Sequence, residues 1–354
     1  MQALILNMKD PFKFKGGAER IALRIKDLLE EEGFNVDLIH EENSQKVGGF
    51  SPYWVGRHAH LMDKEWELAV VNNFVGVGFF PGKAKKTVAV FHILYLEFFE
   101  EAIKEQDLQK ANIGYREYLV NKYLNGHLGE VFVLNAADRI VAVSESLKES
   151  IKKHVEKEVL VVQNPVDGVF QPQNKEKIRE RFNIPKDAFV GLYVGRNDYT
   201  KGYDIFRELV SYTYRDVFWV QVISSGGLES SMPLIKDIIT FREVPFEEMP
   251  IIYSLADFLV FPSRYEGFGL SIVEALACGI PIITLRVGIV KEIEDLLQGL
   301  VVNQPDPKEF FDRIMVLKRF KVIRDYYKHV VSEEIRRRFS VELWKKKMKE
   351  TLLS

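Results

Sequence analysis

The stretch DFLVFPSRYEGFGLSIVEALACGIPIIT (257–284) reads as a strand, a loop, a helix and a returning strand. An apolar run ends near Pro262, a loop carrying Gly267 and Gly269 follows, and a helix is expected from near Ser271. A second apolar run, IPIIT (280–284), closes the unit. Two such runs joined by a helix predict a parallel βαβ crossover. The same pattern extends outward in both directions. Upstream lie FVGLYVG (189–195) and VFWVQVI (217–223), and downstream GLVV (299–302). Earlier still come ALILN (3–7), FNVDLIH (34–40), ELAVV (67–71), TVAVF (87–91), RIVAV (139–143) and VLVVQ (159–163). Near-continuous Val/Ile/Leu runs fit strands covered by helices on both faces. Helical patterns fill the gaps, for example over 18–32 and 97–124. The Pro/Asn/Gln-rich stretch 164–177 reads as a linker. The expectation is an α/β protein of two Rossmann-like halves: residues 1–165, 166–335, and a C-terminal helix over 336–354.

Length and composition agree with two cores. The chain has 354 residues, 47% apolar and 28% charged, which argues against extensive disorder. With 49 Lys/Arg against 51 Asp/Glu, the net charge of -2 gives no overall nucleic-acid footprint. The single cysteine, Cys278, allows no intramolecular disulfide and no multi-cysteine metal knot, so a reducing, cytoplasmic setting is expected. MQALILNMKDPFKFKGG at the N-terminus reads as a first strand and not a secretory signal. No run approaches the roughly 18 apolar residues of a membrane span. Residues 318–349 hold 12 Lys/Arg against 4 Asp/Glu. This basic tail reads either as a solvated helix packing Trp344 inward or as a peripheral contact with an anionic membrane.

Three loops carry chemistry. In the first, the free amides of Gly269, Leu270 and Ser271 at a helix N-terminus form an anion site, flanked by Glu266 and Glu274. Carboxylates do not bind a diphosphate but do accept hydrogen bonds from vicinal hydroxyls, as acidic residues do for ribose. Singly, Glu266 reads as a loop acid and Glu274 as a first-turn partner of the helix dipole. Together with the anion site they describe a sugar-nucleotide pocket. In the second loop, LYVGRNDYTKGYDIF (192–206), Arg196 and Lys201 lie five residues apart and are expected to converge on one anion above a strand end. The third is Gly16-Gly17 in FKFKGGAERI (12–21), which fits a phosphate or acceptor cradle or simple turn geometry.

EGFGLSIVE (266–274) matches the E-x7-E motif, and the chain resembles retaining GT-B glycosyltransferases of glycosyltransferase family 4. GGAER (16–20), ADRIVAVSESLKE (137–149), QNPVD (163–167), VGRNDYTKG (194–202), the 253–283 block and FSVELW (339–344) carry the likeness. The resemblance implies two domains facing across a cleft, with the last helix crossing back to the N-terminal domain. It implies transfer of a sugar from a nucleoside diphosphate donor, UDP- or GDP-linked, to a hydroxyl of a sugar, glycan or lipid-linked acceptor, with retention. Arg196 and Lys201 would bind the diphosphate, Glu274 the ribose and Glu266 the donor sugar, while the Val244 backbone would meet the base. Gly16-Gly17 would close over phosphates and acceptor. His92, in VAVFHILY, fits the histidine that relatives carry near the reaction centre, or is a buried structural residue. No Asp-x-Asp triplet occurs, so no cofactor beyond the donor and no metal is expected. A non-hydrolysing sugar-nucleotide epimerase and a non-catalytic binding subunit are the alternatives.

Overall fold

The computed structural model describes residues 1–14, 16–46, 51–80, 82–224, 232–297 and 299–354. The chain divides into two compact units, each built on its own parallel sheet.

The first unit comprises Met1–Glu100, Tyr115–Asn164 and Glu342–Ser354. Its strands are β1 (Gln2–Leu6), β2 (Asn35–Ile39), β3 (Trp66–Asn72), β4 (Ala84–Phe91), β5 (Arg139–Ala142) and β6 (Val159–Val161). They are ordered β2-β1-β3-β4-β5-β6, all parallel. The chain runs from β1 to β2 on one side and returns to β3 on the other. The carboxyl ends of β1 and β3 therefore meet at a topological switch point, where open parallel sheets leave a crevice for ligands.

Helix Gly17–Glu31 buries Ile21, Ala22, Ile25, Leu28 and Leu29, a 3.6-period stripe, against β1 and β3. The C-terminal helix Val341–Leu353 crosses back to this unit. Its Trp344, Met348 and Leu352, spaced i, i+4, i+8, join the same cluster. Lys345 and Lys349 pair with Glu31 and Glu32, each at 2.6 Å, so part of the lysine excess in the tail is internal pairing. Trp344 is 2% exposed and its Nε1 has no partner among the described residues. Trp344→Ala is expected to destabilise this unit by about 3–5 kcal/mol. Trp344→Phe is expected to cost far less, because it removes an unpaired buried donor along with the lost area. Urea unfolding of both variants checks this; equal losses would contradict it.

The helix expected over 97–124 is not continuous. Short helices Tyr95–Glu101, Leu108–Ala111 and Tyr115–Leu119 are followed by a widened π-helical turn series, Val120–Glu130. Asn112 ends one piece in the left-handed region, at φ 51°. Gly126 and Gly129 lie in the widened stretch, and Gly126 packs against Leu96.

The second unit comprises Glu101–Gly114 and Pro165–Val341. Its strands are β7 (Val190–Gly195), β8 (Phe218–Ile223), β9 (Ile239–Arg242), β10 (Phe258–Phe261), β11 (Ile282–Leu285) and β12 (Val301–Val302). Their order is β12-β11-β10-β7-β8-β9, again all parallel. The switch point here lies between β7 and β10. No helix of the described residues is long and apolar enough to cross a membrane.

Candidate active site

Because β7 and β10 are neighbours at the switch point, the loops that leave them lie side by side. These are the loops of the two strongest sequence motifs. The first, Arg196–Gly202, is folded around two buried groups. The Tyr193 hydroxyl donates to the Arg196 carbonyl at 2.6 Å, with the Lys201 carbonyl 3.4 Å away. The Asp198 carboxylate, 3% exposed, accepts from Arg196 Nε (2.6 Å), Thr200 Oγ1 (2.6 Å) and the Lys201 amide (3.0 Å). Burial alone would push that carboxyl up, but the Arg196 charge and these hydrogen bonds outweigh it and hold it below the usual carboxylate range.

The second loop, 262–269, is stitched to the first. The Arg264 amide donates to the Thr200 carbonyl at 2.9 Å. The Arg264 guanidinium grips Asp204 with two bonds of 2.8 and 2.7 Å and lies 3.7 Å from the Tyr199 ring centroid. Lys201 Nζ meets Glu266 Oε1 at 2.5 Å. Gly269, at φ 94°, caps helix Leu270–Ala277 from a conformation that only glycine adopts without strain. Leu270 and Ser271 are the first residues of that helix.

The arrangement differs from the sequence expectation in three respects. Arg196 and Lys201 each hold a carboxylate of the chain that the sequence did not announce as their partner: Asp198 pairs with Arg196 and Glu266 with Lys201. Glu274 is the fifth residue of its helix and not in the first turn, so a dipole role, confined to the first turn, does not account for it. It is 5% exposed and accepts from the Tyr253 hydroxyl at 3.1 Å. Val244 follows β9, a strand the sequence reading missed, after Glu243 at φ 48°. Since the sheet is parallel, Val244 shares the carboxyl edge with both loops.

The remaining predicted residues belong to the first unit. Gly16 caps helix Gly17–Glu31 at φ -68° and ψ 172°, a conformation open to any residue, so the turn itself does not demand glycine. His92 follows β4. Its amide donates to Asn73 Oδ1 at 2.8 Å, and Nε2 lies 3.1 Å from Asn72 Oδ1. Burial lowers the His92 imidazole to about 4, so it is neutral at pH 7. Asp198, Tyr193, Tyr253 and Arg264 were missed in the sequence, although an aspartate two residues after Arg196 was a visible signal. Among the described residues, no cluster of three or more His, Cys, Asp or Glu could hold a metal.

Residues 174–326 match the family model described as Glycosyl transferases group 1. A D-inositol 3-phosphate glycosyltransferase of Catenulispora acidiphila is 30% identical over 212 residues, 53% of this chain and 51% of that protein. An uncharacterized glycosyltransferase of Methanocaldococcus jannaschii is 29% identical over 189 residues, 51% of this chain and 50% of that one. The chain thus spans about half the length of the curated relatives it matches. Among solved structures, sucrose-phosphate synthase from Thermosynechococcus elongatus superposes with TM-score 0.79 at 18% identity, covering 99% and 98% of the two chains. Anabaena HepE, solved with UDP and glucose, gives 0.70 at 18% identity over 99% of each.

Proposed function

Because the chain has the GT-B glycosyltransferase fold and its second unit carries a glycosyl transferases group 1 domain, we propose that it transfers a sugar from a nucleoside diphosphate donor, UDP- or GDP-linked, to a hydroxyl acceptor with retention at the anomeric carbon. The observation that carries this reading is the pair of loops stitched together at the switch point of the second sheet. They present Arg196, Lys201 and a glycine-capped helix N-terminus beside Glu266 and Glu274.

In the proposed reaction the bond between C1 of the sugar and the diphosphate oxygen breaks as the acceptor oxygen bonds to C1 on the same face. The acceptor proton passes to the departing phosphate oxygen. Charge growing on the diphosphate is met by Arg196, Lys201 and the amides of Gly269, Leu270 and Ser271, groups already held in place before reaction. With those charges supplied by the chain, activity is expected to survive chelation of metal ions. Glu274, kept in place by Tyr253, takes the ribose hydroxyls, and the backbone at Val244 meets the base. Glu266 takes the donor sugar, releasing part of its hold on Lys201 as the diphosphate arrives. Gly16, Gly17 and His92 of the first unit are proposed to take part in binding substrate hydroxyls. HepE with bound UDP and a starch synthase with bound ADP are structural neighbours, which supports a nucleotide site on this fold.

A melting screen with UDP-, GDP- and ADP-sugars tests the reading. A donor at about one hundred times its Kd adds about 2.7 kcal/mol to stability and raises the melting temperature by several degrees. Absence of a shift with every nucleoside diphosphate sugar overturns the proposal. Conversion of the donor without acceptor would instead favour the epimerase.

A further inference from the structure

Three side chains at the carboxyl ends of β1, β3 and β4 form a hydrogen-bonded chain in the first unit. Asn7 Nδ2 donates to the Lys9 carbonyl at 2.7 Å. Asn72 Nδ2 donates to Asn7 Oδ1 at 3.0 Å, and Asn72 Oδ1 faces His92 Nε2 at 3.1 Å. Asn7 and Asn72 are each 1% exposed. They sit at the switch point of this sheet, where the carboxyl ends of β1 and β3 meet.

The direction of every bond in the chain follows from its fixed end. A backbone carbonyl only accepts, so Asn7 must turn its amide nitrogen to Lys9 and its oxygen to Asn72. Asn72 then donates to Asn7, which leaves its own oxygen facing His92. Two acceptors cannot be paired at 3.1 Å, so His92 carries a proton on Nε2. The reversed orientation would place Asn7 Oδ1 against the Lys9 carbonyl at 2.7 Å and is excluded. In a neutral imidazole the other nitrogen, Nδ1, is then bare. That atom is buried and, among the described residues, has no hydrogen-bond partner. A buried acceptor left unpaired costs about 1–3 kcal/mol, which in a native site calls for an explanation.

We propose that Asn7 and Asn72 are positioning residues which lock His92 in the Nε2–H tautomer, so that Nδ1 is kept as the acceptor for a substrate hydroxyl. Asn73 supports the same geometry. It adopts φ 50°, a left-handed conformation that asparagine tolerates, and its Oδ1 takes the His92 and Ile93 amides at 2.8 and 3.4 Å. The substrate part of this inference rests on the sugar-transferase reading; the tautomer part does not.

The test uses the full chain labelled with nitrogen-15 at histidine, with the His92 ring assigned by comparison with His92→Gln. Long-range nitrogen–proton correlations are expected to show a protonated Nε2 and an unprotonated Nδ1. Asn72→Leu, which keeps bulk but removes the acceptor, should release the ring to a mixture of tautomers. Ring signals of the other six histidines report whether Asn72→Leu is folded, and the tautomer of the native chain decides the assignment if it is not. With a donor and acceptor in hand, Asn72→Leu should lower kcat by about tenfold, the worth of one well-placed hydrogen bond, with donor KM little changed. In a His92→Gln background the same change should do nothing further. A proton on Nδ1 in the native chain, or an unaltered tautomer in Asn72→Leu, overturns the proposal. An altered tautomer with unaltered kcat also overturns the positioning role. If the tautomer is as stated but no nucleotide sugar is a substrate, the transferase reading falls and the assignment of the ring stands.

Discussion

Lys201→Ala is expected to lower kcat by about 10²–10³ while the protein stays folded. The magnitude is that of removing one preorganised group from developing charge. Lys201 touches Glu266 at 2.5 Å, and both side chains are partly exposed, at 22% and 13%. A pair with that much water nearby contributes little to stability, so its loss should move the melting temperature only slightly. In the proposed reaction the effect on catalysis is larger, because there the ammonium meets the charge that builds on the diphosphate. Lys201→Arg should recover part of the rate, since it restores the charge but not the compact ammonium geometry. Steady-state kinetics on both variants, with donor binding measured separately, checks the assignment. A kcat for Lys201→Ala within a few-fold of the native value would remove Lys201 from the mechanism.

The partner of that lysine shows which features a sequence discloses. Glu266 and Lys201 are 65 positions apart, and nothing local in either loop announces their ion pair. It follows from the order of strands, which places β7 beside β10. The E-x7-E and GR-x4-KG loops were each legible because glycine, charge and an adjoining apolar strand lie within a dozen residues. Their union was not, since sheet order is a long-range property. The same reason hid the Asn7–Asn72–His92 chain: its members look like the first polar residues after apolar runs, and only the register of β1, β3 and β4 joins them.

Strands were legible where burial on both faces writes an unbroken Val/Ile/Leu run. β9 escaped because ITFR is four residues long, lies at the sheet edge and is only partly buried. The segment after His92 misled for another reason. Its aromatic and leucine spacing is helical, yet Asn112, Gly126 and Gly129 favour breaks and widened turns that periodicity does not register. Arg196 is legible as a loop cation, but its partner within the chain is not. The carboxylate two residues on, Asp198, takes it first, and burial of that carboxylate makes the bond hard to leave unmade.

Gly202→Ala is expected to damage both loops at once and to reduce activity about as severely as Lys201→Ala, with a stability loss that the lysine variant lacks. Gly202 caps helix Tyr203–Thr213 at φ 67°, where a side chain costs roughly 1–2 kcal/mol in backbone strain. A Cβ there would also overlap the Pro262 carbonyl, with that carbonyl carbon only 2.7 Å away. The obstacle is backbone in the neighbouring loop and cannot rotate aside, so the loops must separate, adding about 1–3 kcal/mol of overpacking. Separation lengthens the Arg264 amide bond to Thr200 and carries Lys201 away from Glu266. A displacement near 1 Å is enough to lose about a hundredfold in rate when positioning is the catalytic device. Urea unfolding together with kinetics distinguishes this account from its rival. If Gly202→Ala is as stable as the native chain and as active, the two loops are not mechanically one site, and their juxtaposition at the switch point does not explain catalysis.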